Sequence, residues 1–78
     1  MRTYTVCEKG DKVTVRPVTA YGLCTRNSQG GTEAWRRVAI LVVTRTWVDY
    51  ETGRHYVGKD SKGKEFYFGE TGVEITAF

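Results

Sequence analysis

Apolar and polar residues alternate over short stretches of this chain, and almost no stretch shows the 3.6-residue spacing of an amphipathic helix. The alternation is clearest in residues 12–16, where Val13 and Val15 fall on the same face of a predicted strand. Pro17 ends this strand, because proline has no amide hydrogen to donate to a β-ladder. A similar run over residues 3–7 predicts an earlier strand. The pattern therefore predicts an all-β fold.

Residues 38–48 are the most apolar segment and predict a long, curving strand that is central at its start. Residues 50–53 and 60–63 each end in glycine, which is typical of a type I turn followed by a G1 bulge. These turns predict two consecutive hairpins, and residues 73–78 predict a final strand reached through a tight turn. We therefore expect five strands joined into a small barrel.

The segment between the second and third predicted strands, about residues 18–37, has no periodicity and predicts one long loop. Its most loop-like part is residues 27–31, Asn-Ser-Gln-Gly-Gly. Residues 32–37 predict a single helical turn capped by Thr32. With this loop, residues 1–78 are expected to form one domain.

The register of the two hairpins decides which side chains face solvent, because a slip by one residue exchanges the faces. The first turn predicts that Val48 pairs with Tyr56, and the second that Lys59 pairs with Glu65. The predicted core face carries Val13, Val15, Val42, Thr44, Thr46, Val48, Tyr56, Phe66, Phe68, Val73 and Ile75. The opposite face carries Arg45, Trp47, Val57, Lys59, Glu65 and Tyr67.

The pattern over residues 45–75, with its hairpin at 56–68 and the Gly-Val-Glu-Ile of residues 72–75, resembles the SH3-like barrels, including Tudor and KOW domains. The resemblance covers about half of the chain and implies a small five-stranded barrel that acts as a binding module. The acidic loop of polyproline-binding SH3 domains is absent, since residues 18–31 contain no acidic side chain. In size and composition the chain is also similar to small accessory proteins of bacteriophages.

Composition narrows the classes of function. The 78 residues carry a net charge of +3, which permits nucleic-acid binding without requiring it. No run of about 18 apolar residues predicts a membrane span, and no signal-peptide pattern is found, so a cytoplasmic location is expected. Cys7 and Cys24 are expected to be reduced, although a disulfide between them is an alternative. With His55 they supply too few ligands for structural zinc, so no metal or cofactor is expected.

Catalytic motifs are also missing from the sequence. His55 is the single histidine, and a nucleophile would have to come from Cys7, Cys24, Ser28 or Ser61. No Gly-x-Ser-x-Gly, His-Glu-x-x-His or phosphate-binding glycine loop occurs. His55 is therefore interpreted as part of a surface pair with Asp49, and the chain as a non-enzymatic binding module.

Two kinds of partner are considered for this module. The first is a protein, as for an adaptor or a phage-encoded inhibitor of a host complex, bound through loop 18–37 and an edge strand. Its candidate residues are Tyr21, Leu23, Trp35, Trp47 and Tyr67. The alternative is nucleic acid, with bases stacking on aromatic rings and cations holding phosphates. Its candidate residues are Arg36, Arg37, Arg45, Trp47, Lys59, Lys62, Lys64 and Tyr67.

Two other interpretations of the aromatic residues stay open at this point. Trp47 and Tyr67 would form a second small apolar cluster if loop 18–37 covered them. A cage for a methylated cation, as in Tudor-like barrels, would instead need several rings to converge. Its candidates are Trp35, Trp47, Tyr50, Tyr56 and Tyr67. The chain is expected to be a monomer or a small homo-oligomer.

Overall fold

The structure is a computed structural model that describes residues 7–77. Every regular element within these residues is a β-strand, which confirms the all-β prediction. There are seven strands in the described part of the chain, two more than expected. They are β1 (Lys12–Pro17), β2 (Leu23–Arg26), β3 (Thr32–Ala34), β4 (Ala39–Asp49), β5 (Gly53–Lys59), β6 (Glu65–Gly69) and β7 (Val73–Ala77).

The seven strands form one curled antiparallel sheet in the order β3-β2-β6-β5-β4-β1-β7. Strands β4, β5 and β6 form a meander in its centre, while β3 and β7 are the edges of the sheet that the described residues form. The strand predicted over residues 3–7 lies outside the described residues except for Cys7. The sheet has a concave inner face, which holds the core, and a convex outer face.

The long loop predicted over residues 18–37 is wrong, because this segment contains the β2–β3 hairpin. Asn27 closes the hairpin turn: its side-chain Oδ1 accepts hydrogen bonds from the amides of Gln29 and Gly31, both at 2.9 Å. The helical turn predicted from Thr32 is also wrong, since Thr32–Ala34 is β3. The predicted loop at residues 27–31 coincides with the turn.

The predicted register of the second hairpin is confirmed, with Lys59 opposite Glu65. Gly63 adopts a positive φ of 83° after the turn, as a G1 bulge requires. The first hairpin is shifted by two residues, because Val48 pairs with Arg54 and not with Tyr56. A shift by two preserves the alternation of side chains between the two faces, which has a period of two. The prediction that Val48 contributes to the core is nevertheless wrong, because its side chain is 64% exposed.

A β-bulge at Thr44 changes the face assignment within β4. The pairing with β5 runs from Val43 directly to Arg45, so that Thr44 has no partner residue opposite it. Before the bulge Leu41 and Val43 point into the core, and Val42 is 42% exposed. The prediction that Val42 faces the core is therefore wrong. After the bulge the parity changes, and Arg45 lies on the outer face.

The core lies on the inner face and is almost entirely apolar. The ring of Tyr56 stacks on Phe68 with centroids 5.2 Å apart, and its hydroxyl accepts a hydrogen bond from the amide of Cys7 at 3.3 Å. Trp35 packs edge-on against Phe66, with centroids 5.0 Å apart. The core consists of Cys7, Val13, Val15, Leu23, Ala39, Leu41, Val43, Tyr56, Phe66, Phe68 and Ile75, with Trp35 and Val73 at its margin.

A close backbone contact between Gly22 and Gly72 joins two connections of the fold. Gly72 has a positive φ of 83°, and its carbonyl accepts hydrogen bonds from the amides of Val18 and Thr19 at 2.8 and 3.1 Å. A Cβ atom at Gly22 would overlap this carbonyl oxygen. The approach of the β1–β2 connection to the β6–β7 turn therefore requires glycine at position 22.

We expect Gly22→Ala to lower the free energy of unfolding by about 3 kcal/mol, the upper end of overpacking costs, because backbone must move to admit the methyl group. Gly63→Ala is the matched control, since its Cβ would meet nothing within 4 Å and only the positive φ opposes it. Its cost is expected to be about 1 kcal/mol. Urea denaturation of both variants measures the difference, and equal losses would contradict the close contact.

Candidate functional site

The central meander places a group of basic and aromatic side chains on the outer face. Trp47 pairs with His55 across β4 and β5, and Arg45 pairs with Val57. Val57 in turn pairs with Tyr67 on β6. Tyr67 pairs with Cys24 on β2, whose next outward residue is Arg26. We call the resulting surface the sheet-face site, defined by Arg26, Arg45, Trp47, His55 and Tyr67.

Cations lie against the aromatic rings of the sheet-face site. The guanidinium carbon of Arg45 is 5.0 Å from the centroid of the Trp47 ring, and that of Arg26 is 5.4 Å from the Tyr67 ring. Trp47 stacks on His55 with centroids 5.6 Å apart and planes at 20°. Trp47 is nevertheless 40% exposed, so the β2–β3 hairpin does not cover it. The alternative of a cluster beneath loop 18–37 is therefore wrong for Trp47.

Tyr67 lines two open grooves, one on the outer face and one beside the β1–β2 and β6–β7 connections. One groove, of about 340 Å³, is lined by Arg26, Thr44, Arg45, Val57, Glu65 and Tyr67. The other, of about 450 Å³, is lined by Thr19, Tyr21, Gly22, His55, Tyr67, Phe68, Gly69, Thr71 and Gly72. The first groove offers two guanidinium groups and the second offers aromatic and hydroxyl groups. Together they form a surface with alternating charged and stacking features.

The tyrosine between the grooves has an altered acidity. Its hydroxyl donates a hydrogen bond to Glu65 Oε1 at 2.8 Å. This hydrogen bond holds the proton on the phenol and raises the pKa of Tyr67 above its ordinary value, and desolvation adds to the effect. Glu65 thus fixes the hydroxyl of Tyr67 on one side while the ring remains available to the grooves.

Two members of the sheet-face site were not among the predicted binding residues. Arg26 was missed because residues 18–37 were interpreted as a loop, although Leu23 and Thr25 alternate with Cys24 and Arg26 as in a strand. His55 was interpreted as the partner of Asp49. Its Nε2 lies 2.5 Å from Thr52 Oγ1, whereas the Asp49 carboxylate accepts hydrogen bonds from backbone amides.

The predicted protein-binding residues do not share one surface. Leu23 is fully buried in the core and is therefore wrong as a partner contact. Trp35 is half-buried against Phe66, whereas Tyr21 is exposed and lines the larger groove. Trp47 and Tyr67 lie on the outer face. The five candidate rings of the aromatic cage likewise do not share one surface, since Tyr56 is buried in the core and Tyr50 lies exposed on the β4–β5 turn.

The predicted basic surface is divided into separate places. Arg45 belongs to the sheet-face site, and Lys59 lies beside Val42 on the same face. A second group of cations, Arg37, Lys62 and Lys64, lines a pocket together with Trp35. Arg36 lies elsewhere, next to residues 17–20. The adjacent residues Arg36 and Arg37 therefore serve different surfaces.

The cysteines lie on opposite faces of the sheet. Cys7 belongs to the core, and burial raises the pKa of its thiol. Cys24 pairs with Tyr67 on the outer side, and its Sγ donates a hydrogen bond to the carbonyl of Tyr21 at 3.3 Å. Across residues 7–77, no group of three or more His, Cys, Asp or Glu side chains is arranged to hold a metal ion. The same residues contain no helix long and apolar enough to cross a membrane.

Comparisons of the chain with protein-family models, curated proteins and solved structures found no match.

We expect Tyr67 to titrate above pH 10 and to return toward 10 in Glu65→Ala, because that variant removes the acceptor that holds its proton. A raised pKa in the folded state stabilises the fold below the unfolded value and loses this contribution as the pH rises through the folded value. NMR titration of the Tyr67 ring measures the shift. A Tyr67 pKa that is the same in both proteins would contradict the role of Glu65.

Proposed function

We propose that the protein is a non-enzymatic binding module whose sheet-face site binds single-stranded nucleic acid. The observation that carries this proposal is the position of Tyr67 between two grooves, with Arg26 and Arg45 lining one and Tyr21 and His55 the other. Trp47 extends the aromatic surface through its stacking on His55.

Single strands suit this surface because their bases are free to stack on aromatic rings. Such stacking contributes about 1–3 kcal/mol per base and depends little on sequence. In the free protein Arg45 and Arg26 lie against Trp47 and Tyr67, within the range of cation–π attraction. A bound strand would place bases on these rings and phosphates on the two guanidinium groups. The site would then recognise shape and charge and not a particular sequence.

The proposal retains the SH3-like barrel that the sequence resembles and a cytoplasmic location. The curled antiparallel sheet supports a barrel-like architecture, because curling brings its edges toward each other. The outer face is also the one that the sequence assigned to Arg45, Trp47 and Tyr67. Since Leu23 lies in the core, the geometry supports nucleic acid better than a partner bound through residues 18–37.

We expect a labelled single-stranded DNA of twelve mixed-sequence nucleotides to bind at low salt. Two or three phosphate contacts predict that affinity falls about tenfold between 50 and 200 mM salt. Trp47→Ala removes one stacking ring and is expected to weaken binding about tenfold. Arg45→Gln is expected to weaken binding and to reduce the dependence on salt. Fluorescence anisotropy measures the affinity of each protein for the strand and the dependence of that affinity on salt.

Two control variants sharpen this experiment. Tyr50→Ala removes a fully exposed aromatic ring three residues from Trp47 but on the turn, and Arg36→Gln removes a cation that lies outside the sheet-face site. Both are expected to bind within twofold of the original protein. Absence of binding at 50 mM salt, or equal losses in Tyr50→Ala and Trp47→Ala, would contradict the proposal.

A second candidate function is the binding of a protein partner, favoured by exposed apolar side chains in the central strand β4. Ile40 and Val42 are 53% and 42% exposed, on the outer face before the bulge. They line a groove of about 410 Å³ together with Lys12 and Lys59. A segment with apolar residues flanked by carboxylates would complement it. A modulator of a host complex, the phage-type role expected from the sequence, is the form this function would take.

For this second function, affinity purification from the native cell is expected to give one stoichiometric protein that Val42→Asp loses. Val18→Asp is the matched control, because Val18 is also exposed, at 60% against 42% for Val42, but does not line this groove. Circular dichroism establishes that both variants remain folded. Retention of the protein by Val42→Asp, or its loss from both variants, would contradict a partner at this groove.

A further inference from the structure

A third cationic pocket lies away from the sheet-face site, between the β3–β4 connection and the β5–β6 turn. It has a volume of about 500 Å³ and is lined by Trp35, Arg37, Val38, Asp60, Ser61, Lys62 and Lys64. Trp35 forms its wall by packing edge-on against Phe66 of the core. We call it the Trp35 pocket.

Positive charge is concentrated around one aromatic ring in this pocket. The guanidinium carbon of Arg37 is 4.6 Å from the centroid of the Trp35 ring, and Nζ of Lys64 is 5.7 Å from it. Lys62 adds a third cation to the lining. Cations that line one pocket repel each other, so a bound anion would be stabilised there.

Asp60 is the one carboxylate in the lining, and it is occupied by the turn. Its Oδ1 accepts hydrogen bonds from the backbone amides of Lys62 and Lys64, both at 2.9 Å. With three cations and one carboxylate, the lining retains a net charge of +2. Because the turn fixes the position of Asp60, its carboxylate does not move in among the three cations to take the place of a bound anion.

Two neutral side chains of the lining also carry hydrogen-bonding groups. Ser61 carries a hydroxyl in the lining. The indole Nε1 of Trp35 is buried and has no hydrogen-bond partner among the residues that the structure describes. A buried donor without a partner costs about 1–3 kcal/mol, so a ligand oxygen that reached it on a small movement of the ring would recover that cost.

We infer that the Trp35 pocket binds a phosphate monoester. A guanidinium group, two ammonium groups and a hydroxyl match the three oxygens and the double negative charge of such a group. The ester can come from a free mononucleotide or from the 5′ end of a nucleic-acid strand. The inference does not depend on the sheet-face site, since the two surfaces share no lining residue.

The experiment uses Trp47→Phe as the background, in which Trp35 is the single tryptophan and its fluorescence reports on the pocket. Adenosine 5′-monophosphate is titrated and compared with adenosine. The monophosphate is expected to bind at least about tenfold more tightly, because the nucleoside lacks the charged group. Inorganic phosphate is expected to displace it. Equal binding of the two ligands, or no binding of either, would overturn the inference.

Adjacent arginines provide a matched pair of variants in this background. Arg37→Gln removes a cation of the pocket and is expected to weaken binding of the monophosphate about tenfold. Arg36→Gln removes the same charge from the preceding residue, which lines a different surface, and is expected to change binding less than twofold. Equal losses in both variants would mean that net charge alone attracts the ligand and would overturn the inference.

Oligonucleotides distinguish the two sources of the ester. If the strand end is the source, a 5′-phosphorylated twelve-nucleotide DNA binds more tightly than its 5′-hydroxyl form, and Arg37→Gln abolishes the difference. If a free nucleotide is the source, the two strands bind alike while the monophosphate still binds. Both outcomes support the pocket. The proposed function is tested separately, by comparing the binding of the 5′-hydroxyl strand to the original protein and to Trp47→Ala.

Discussion

The outer face depends on the β-bulge at Thr44. Alternation with a period of two carries Leu41 and Val43 inward, and without an extra residue it would carry Arg45 and Trp47 inward as well. The core would then contain a guanidinium group, which is costly without a partner. Because Thr44 has no partner residue, the parity changes and the basic-aromatic surface faces outward. The Thr44 hydroxyl also donates a hydrogen bond to the carbonyl of Val57 at 3.1 Å.

The bulge also explains why different surfaces lie side by side on one strand. The half of β4 before it exposes Ile40 and Val42, and the half after it exposes Arg45 and Trp47. Gly58 lies opposite Val43 at this point, and a Cβ atom there would come within 3.1 Å of the Cβ of Leu41. The absence of a side chain on β5 thus accommodates the change of parity on β4.

The sequence predicted the β5–β6 hairpin well because Asp60 and Gly63 mark its turn and Lys59 faces Glu65. In the first hairpin Asp49 holds the turn through the amides of Glu51 and Thr52, which moves the pairing by two residues. That error kept the faces, so Trp47 and Tyr67 were placed correctly. The bulge at Thr44 has no comparable sequence signal, because the alternation of apolar and polar residues does not reveal an extra residue in a strand. Strands β2 and β3 are only four and three residues long, and alternation over so few residues was not distinguished from a loop, which hid Arg26.

The strand order has a consequence for how the chain acquires its shape. Neighbours in the meander β4-β5-β6 are joined by tight turns, whereas the pairing of β2 with β6 closes a segment of about forty residues. Longer segments cost more entropy to close, so the three-stranded ribbon is the least expensive part of the sheet to assemble. Four of the five residues that define the sheet-face site lie on that ribbon, and Arg26 reaches them only when the β2–β3 hairpin docks beside β6.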